Sequence, residues 1–222
     1  MRVYVRTFSL LAALLGSTGA LAAQELREDS YRWYFGAQGG VLLTQTQTQD
    51  YASTPSVGFH LLVMGKRAGL MLSFDEALGS DETSAFGDAT APNGAREVTY
   101  DHLRKYTAGL MIFPLRARFE PFLGLGFGIL HTTGTQVEGV FTDPVDAADA
   151  LAEAKERGST GFGSLLGGLQ YRASKNFVIF GQYQITTAPS DGSLLVGPSH
   201  GLVAGLRFGL GKAKEDIKGG GY

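Results

Sequence analysis

The 222-residue chain contains no cysteine, which excludes a disulfide framework, a thiolate metal site and a cysteine nucleophile. It has no excess of basic residues either. A formal net charge of −2 offers no electrostatic footprint for nucleic acid. Past residue 22 no stretch holds 18 consecutive apolar residues, so no transmembrane helix is predicted. What the chain does have is 32 glycines, 14 Phe and 9 Tyr, with turn signals at regular intervals. That excess favours an all-β barrel or sandwich.

Residues 1–22 read as an export leader. Arg2 and Arg6 form a positive start, Phe8–Leu15 is an apolar run too short to span a bilayer, and Ala20-Leu21-Ala22 is an A-x-A cleavage site. A polar lead-in (23–30) follows, then the patterned region 31–211, then a charged tail (212–222) expected to be mobile.

The most informative stretch is Pro121–Leu130. Leu123, Leu125, Phe127 and Ile129 fall on one face of an extended strand, and Gly124, Gly126 and Gly128 on the other. A helical period would scatter the glycines around the circumference. Glycine weakens a strand interior unless something needs the room. The bare face is therefore expected to look into a narrow closed barrel, making space for long side chains from opposite strands. The apolar face then points outward, toward lipid. The G-x-G-x-G spacing is not a phosphate loop, because no helix follows it.

Seven further segments alternate in the same way: 31–44, 56–64, 68–77, about 98–113, 161–172, 177–187 and 201–210. With the central stretch they make eight, an even number as a bacterial single-chain barrel requires, each near the 9–11 residues of a tilted membrane strand. The connections alternate long and short throughout. Gly65-Lys66-Arg67, Leu115–Arg118 and Ala173–Asn176 are short; Gln45–Pro55, Leu78–Arg96, Thr135–Thr160 and Ala188–Ser199 are long. Short inner turns and long outer loops are the parity of an outer-membrane barrel. The third long loop should hold a helix at 143–157: Asp143 caps, Pro144 and Asp146 suit the first turn, and Lys155, Arg157 and Gly158 close it. Its apolar side is expected to be Val145, Ala148 and Leu151, lying over the barrel mouth or offered to a partner.

Trp33-Tyr34-Phe35-Gly36-Ala37, Pro121–Gly128, Gly167-Gly168-Leu169-Gln170-Tyr171, Phe180-Gly181-Gln182-Tyr183-Gln184 and Ala204-Gly205-Leu206-Arg207-Phe208 together carry a resemblance. The region 31–211 resembles the barrel domain of the OmpA/OmpX-type small outer-membrane proteins. The resemblance implies an all-β, eight-stranded antiparallel up-and-down transmembrane barrel in the cell outer membrane. Its partners would be outer-membrane lipid, lipopolysaccharide and the outer-membrane assembly machinery. Gly205, Phe208 and Leu210 look like the last-strand insertion signal. Gln182 and Gln184 stand where relatives often carry Glu and Arg, and a tail follows where relatives end on an aromatic residue.

Under this reading Leu123, Leu125, Phe127, Ile129, Leu206 and Phe208 face lipid. The interior takes Gln38, His60, Ser73, Asp75, Lys105, Gln170, Arg172, Gln182, Gln184 and Arg207. An eight-stranded barrel is just wide enough for its own side chains to fill, so these groups should bond to one another, with Asp75 pairing Arg207 or Lys105. Trp33, Tyr171 and Tyr183 could form an interfacial girdle. The short turns are basic (Lys66, Arg67, Arg116, Arg118, Lys175). The long loops are acidic (Asp81, Glu82, Asp88, Asp143, Asp146, Asp149, Glu153, Glu156), either a solvated face or a bridge through divalent cations to lipopolysaccharide. His131 and His200, near Thr132 and Ser199, match no lipid-A deacylase or barrel-protease pattern. No catalytic, cofactor or metal motif is recognised. The expected role is a non-enzymatic scaffold whose loops meet an extracellular partner of unidentified chemistry. A small-molecule or narrow-pore barrel, a lipid-modifying enzyme and a soluble lipocalin-like carrier stand as alternatives.

Overall fold

The computed structural model describes residues 30–214 apart from 116, 142 and 175; the segments assigned above as leader, most of the lead-in, and the tail beyond 214 lie outside the described residues. Strands β1 (Ser30–Thr46), β2 (Ala52–Met64), β3 (Ala68–Gly87), β4 (Ala95–Ile112) and β5 (Phe119–Thr133) follow one another. A two-residue strand β6 (Gln136–Val137) and helix α1 (Pro144–Arg157) come next, then β7 (Ser159–Arg172), β8 (Phe177–Thr186) and β9 (Leu195–Lys214). Sequential neighbours pair antiparallel, with β5 passing directly to β7, and β1 closes the circle by pairing with β9. β6 lies outside this ring, pairing with β4 at Val98 and Thr99. All eight expected segments are barrel strands.

The register fixes the shape. Stepping across the wall from Arg32 through Met64, Gly69, Met111, Gly124, Leu166, Gln184 and Gly201 returns to β1 at Leu42, a stagger of ten residues. Eight strands ~4.7 Å apart with that stagger tilt by about 40° to the axis, so each residue climbs roughly 2.5 Å. Tyr31, Trp33, Phe119 and Phe208 lie around the turn end; Phe59, Leu72, Leu110 and Leu125 form the middle; Val57, Phe127 and Leu202 lie toward the loop end; all are exposed. The resulting apolar band is about 25 Å tall, the height of a membrane barrel's outer belt. Phe119 packs on Tyr171 and Phe177 on Phe208 at the turn end, with ring centroids 4.9 and 5.1 Å apart.

Three features depart from the sequence expectation. The first and second long loops are mostly strand. β1 and β2 leave only residues 47–51 between them, and β3 and β4 run on to Gly87 and from Ala95. A register shift between Leu78 and Glu82 hid this extension, because it reverses which parity faces inward. β9 likewise continues through Lys214, where residues 212–214 pair with Arg32, Tyr31 and Ser30. Finally, the space over the β5 glycines is taken by the adjacent strand. An added Cβ at Gly124, Gly126 or Gly128 would meet Leu166, Ser164 or Phe162, the direct partners on β7. The wall is so strongly tilted that neighbours, rather than opposite strands, lean across the bare stripe.

Gly128 makes the sharpest test. A Cβ there would lie 2.0 Å from the Tyr106 carbonyl oxygen and 2.6 Å from the Phe162 ring, whereas at Gly181 nothing lies within 4 Å. Gly128→Ala is expected to destabilise the barrel by about 1–3 kcal/mol and Gly181→Ala by less than about 0.5, read from urea unfolding in lipid vesicles. Equal losses in the two variants would contradict the packing.

Candidate functional site

The interior is stratified. Nearest the turns, Glu120 on β5 receives Arg172 Nη2 at 2.7 Å and Gln170 Nε2 at 2.6 Å. The Gln170 carbonyl accepts from Arg207 Nη1 at 2.6 Å, and Arg207 Nε donates to His60 Nε2 at 2.9 Å. Arg207 has 0% of its surface exposed, and its guanidinium lies 3.9 Å from the centroid of the Phe180 ring. A buried charge without hydrogen bonds would be prohibitively costly. Here Arg207 is held by one amide, one imidazole and an aromatic face, and reaches carboxylate only through Gln170. The apolar cluster of Tyr34, Leu62, Met64, Met71, Met111, Phe113, Phe122 and Phe180 fills the same tier.

Halfway up, Gln38 Nε2 donates to Asp75 Oδ1, Lys105 Nζ lies 3.7 Å from Asp75 Oδ2, and Lys105 donates to the Gln184 carbonyl at 3.0 Å. Asp75 therefore pairs with Lys105, the other candidate, Arg207, being committed to His60 and Gln170. A second apolar tier of Leu42, Leu103, Leu130, Phe162 and Leu195 covers this chain. Above it the Glu82 carboxylate accepts from Thr44 at 2.9 Å, Thr54 at 2.8 Å and Tyr100 at 2.6 Å.

Eight of the ten residues assigned to the interior from sequence thus fall into two chains: Arg172, Gln170, Arg207 and His60, and Gln38, Asp75, Lys105 and Gln184. Ser73 and Gln182 face inward but join neither chain among the described residues. Sequence reasoning missed Glu120, one residue before the assigned fifth segment, and left Tyr34 unassigned within the first, though their even parity matched Phe122 and Gly36. It placed Glu82 on a solvated loop, whereas the structure buries it at 4% exposure inside the wall. The six residues assigned outward (Leu123, Leu125, Phe127, Ile129, Leu206, Phe208) are all exposed, as is Leu210, while Gly205 turns inward against Phe180.

At the loop end, α1 is capped as its sequence indicates: Asp143 accepts from Val145 N at 2.9 Å, and Gly158 N bonds back to Ala154. Its buried side differs from expectation. Val145 is 62% exposed, and Ala150 and Ala154 pack instead on Phe86, Val98 and Leu194. Small side chains let the helix axis lie close to the rim, which larger residues at 145 and 151 would prevent. Arg157 ties the helix end to the last loop through Gly192 O at 3.1 Å and to Glu153 at 2.7 Å.

The tip of the β3–β4 hairpin is pinned by Asp88. Its carboxylate accepts from Thr90 N at 2.8 Å, Thr90 Oγ1 at 2.6 Å and Arg96 Nε at 2.9 Å. Hydrogen bonds from Thr90, then the bond and charge of Arg96, hold its carboxyl down at about 2. His131 meets Ser159 at 2.6 Å and His200 meets Tyr183 at 2.6 Å, neither with an acidic third member among the described residues. No group of three or more His, Cys, Asp or Glu among the described residues could hold a metal ion.

Among solved structures, the chain is similar to Neisserial surface protein A: TM-score 0.52, 12% identity, 79% of this chain and 96% of that one. The chain has the fold of the small outer-membrane β-barrels. The N-terminal β-barrel domain of Pseudomonas aeruginosa OprF matches at TM-score 0.41 and 9% identity over 78% of this chain and 96% of its own. No family model matches the sequence. No curated protein matches it significantly.

Two measurements probe the barrel's charged groups. Glu120→Ala leaves Arg172 and, through Gln170, Arg207 without their anion; it should cost about 3–5 kcal/mol of unfolding free energy in vesicles. A loss below about 1 kcal/mol would show that the chain is not stabilising. For Asp88, a carboxyl held below its ordinary value stabilises the hairpin tip fully above about pH 4 and loses that contribution as the pH falls through about 2. Amide exchange at Thr90 and Gly94 should accelerate, beyond the intrinsic trend, only within that window.

Proposed function

We propose that the chain is an integral outer-membrane protein acting as a non-enzymatic scaffold: a filled cylinder that anchors in lipid and presents its rim to the outside. One observation carries this reading. Around a closed ring of eight strands the outward positions form a continuous apolar belt of about 25 Å, while the inward positions are filled by alternating polar and apolar tiers. A soluble eight-stranded carrier needs the reverse, a polar outside and a greasy cavity. With every strand paired on both sides in the belt, no backbone donor meets hydrocarbon unsatisfied.

The filled interior supports a closed barrel over an open pore. The apolar tier around Phe122 and Phe180 and the tier around Phe162 and Leu195 lie above one another, which supports a closed bore. The rim histidines favour scaffold over enzyme: among the described residues neither His131–Ser159 nor His200–Tyr183 has a base-orienting carboxylate, and His200 packs on the Tyr51 ring. Lipopolysaccharide would surround the outer edge of the belt, and the Gly205–Leu210 end of β9 would be read by the assembly machinery during insertion.

The purified barrel should partition into liposomes and change gel mobility on heating. In planar bilayers it should show no steady conductance, and a sustained open current would overturn the filled-interior reading. Recovery of the folded protein from aqueous buffer alone, without detergent or lipid, would overturn the membrane reading itself.

A further inference from the structure

The ladder between β2 and β3 stops short of the rim. β2 and β3 pair from Met64–Gly69 up to Ser56–Ala77 and no further. Above that rung β2 continues as Ala52–Pro55 on β1 alone, and β3 turns through its register shift at Leu78–Glu82 to pair with β4 alone. Pro55 follows from the seam: it has no N–H to offer a partner on its free side. Higher up the gap is bridged from β1 and the β1–β2 loop instead, where Thr46 Oγ1 and Thr48 Oγ1 donate to the Thr83 carbonyl at 2.5 and 2.7 Å. The result is a framed window in the side of the cylinder.

At the window lies an open recess of about 500 Å³ lined by Gln49, Asp50, Ala52, Ser53, Thr54, Gly79 and Glu82. Its chemistry is one-sided. Two carboxylates line it and no basic residue does. Glu82 is buried on three hydroxyls, with no ion-pair partner among the described residues. The Gln49 carbonyl Oε1 is buried with no hydrogen-bond donor among the described residues. A buried carboxylate without a cation, and a buried carbonyl without a donor, are both costly. Height matters too. The window's lower edge, Ser56–Ala77, sits at the outer margin of the apolar belt, and the exposed side chains of Val57 and Leu78 flank it.

We infer that this window is a lateral binding site for the ammonium headgroup of a membrane-borne amphiphile, with the alkyl chain lying along Val57 and Leu78 outside the wall. Glu82 supplies the counter-charge from within, Thr54 and Gln49 supply acceptors, and Asp50 attracts the cation at the mouth. Entry is sideways from the outer leaflet, so the filled bore is no obstacle. This inference rests on the membrane reading above.

The test uses the full mature barrel in detergent micelles, with amide spectra read at Ala52, Ser53 and Gly79. Dodecylammonium should shift these resonances saturably. Dodecyl sulfate should not, and butylammonium should bind at least tenfold more weakly. Glu82→Gln should weaken dodecylammonium at least tenfold. Because that variant also loses part of its hydroxyl cluster, Ser53→Trp, which fills the exposed mouth and leaves Glu82 untouched, should weaken it comparably. Heat-dependent mobility confirms that each variant is folded. Unchanged affinity in a folded Ser53→Trp barrel, or dodecyl sulfate binding equal to dodecylammonium, would overturn the site. Butylammonium binding as tightly as dodecylammonium would overturn the membrane-borne ligand. Failure to enter liposomes would count against the membrane reading alone, since binding is measured in micelles.

Discussion

The closing ladder between β1 and β9 is the interaction on which the remaining architecture depends. A sheet of eight strands with two free edges would leave two rows of N–H and C=O groups without partners, which hydrocarbon cannot satisfy. Closing the sheet with a ten-residue stagger removes both rows and sets the tilt, the bore and the belt height together. The glycine content follows from the same closure. At the tilt that closure demands, side chains of β7 lean over β5, and only residues without a Cβ leave them room.

Within that bore, packing and electrostatics are solved in tiers. Arg207 shows how. It touches no carboxylate, yet its charge is balanced through Gln170 to Glu120 and its flat face rests on Phe180. The amide converts a charge separation too long for a direct ion pair into two short hydrogen bonds. Lys105 and Asp75 make the direct pair one tier higher, where Gly58 and Gly201 leave room for their side chains. Greasy layers separate these tiers of hydrogen bonds from one another.

Much of this was legible in the residue pattern, because a period of two is readable wherever one face is uniformly apolar. All eight strands, the short turns Gly65–Arg67 and Ala173–Asn176, the capped helix and the inward parity of the polar residues could be read directly. What could not be read depended on register. The shift at Leu78–Glu82 reverses inside and outside, so Glu82, Ser84 and Phe86 looked like an acidic loop when they are a second inward row. The partner of Asp75 was ambiguous because heights in a tilted barrel depend on all eight registers at once. The helix face was misjudged because hydrophobicity favours Val145, whereas close approach to the rim favours Ala150 and Ala154.

The extension of β3 and β4 beyond the belt has a consequence for reach. Counting upward from the belt's edge at the tilt of the wall, the Asp88–Gly94 tip stands roughly 20–25 Å above the hydrocarbon boundary. It is braced by Arg96, which bonds Asp88 on one side and stacks on Phe141 of the helix-bearing loop on the other. A stiff mast of that height holds the Asp88–Gly94 tip well clear of the apolar belt, so the hairpin end is presented apart from the wall that carries it.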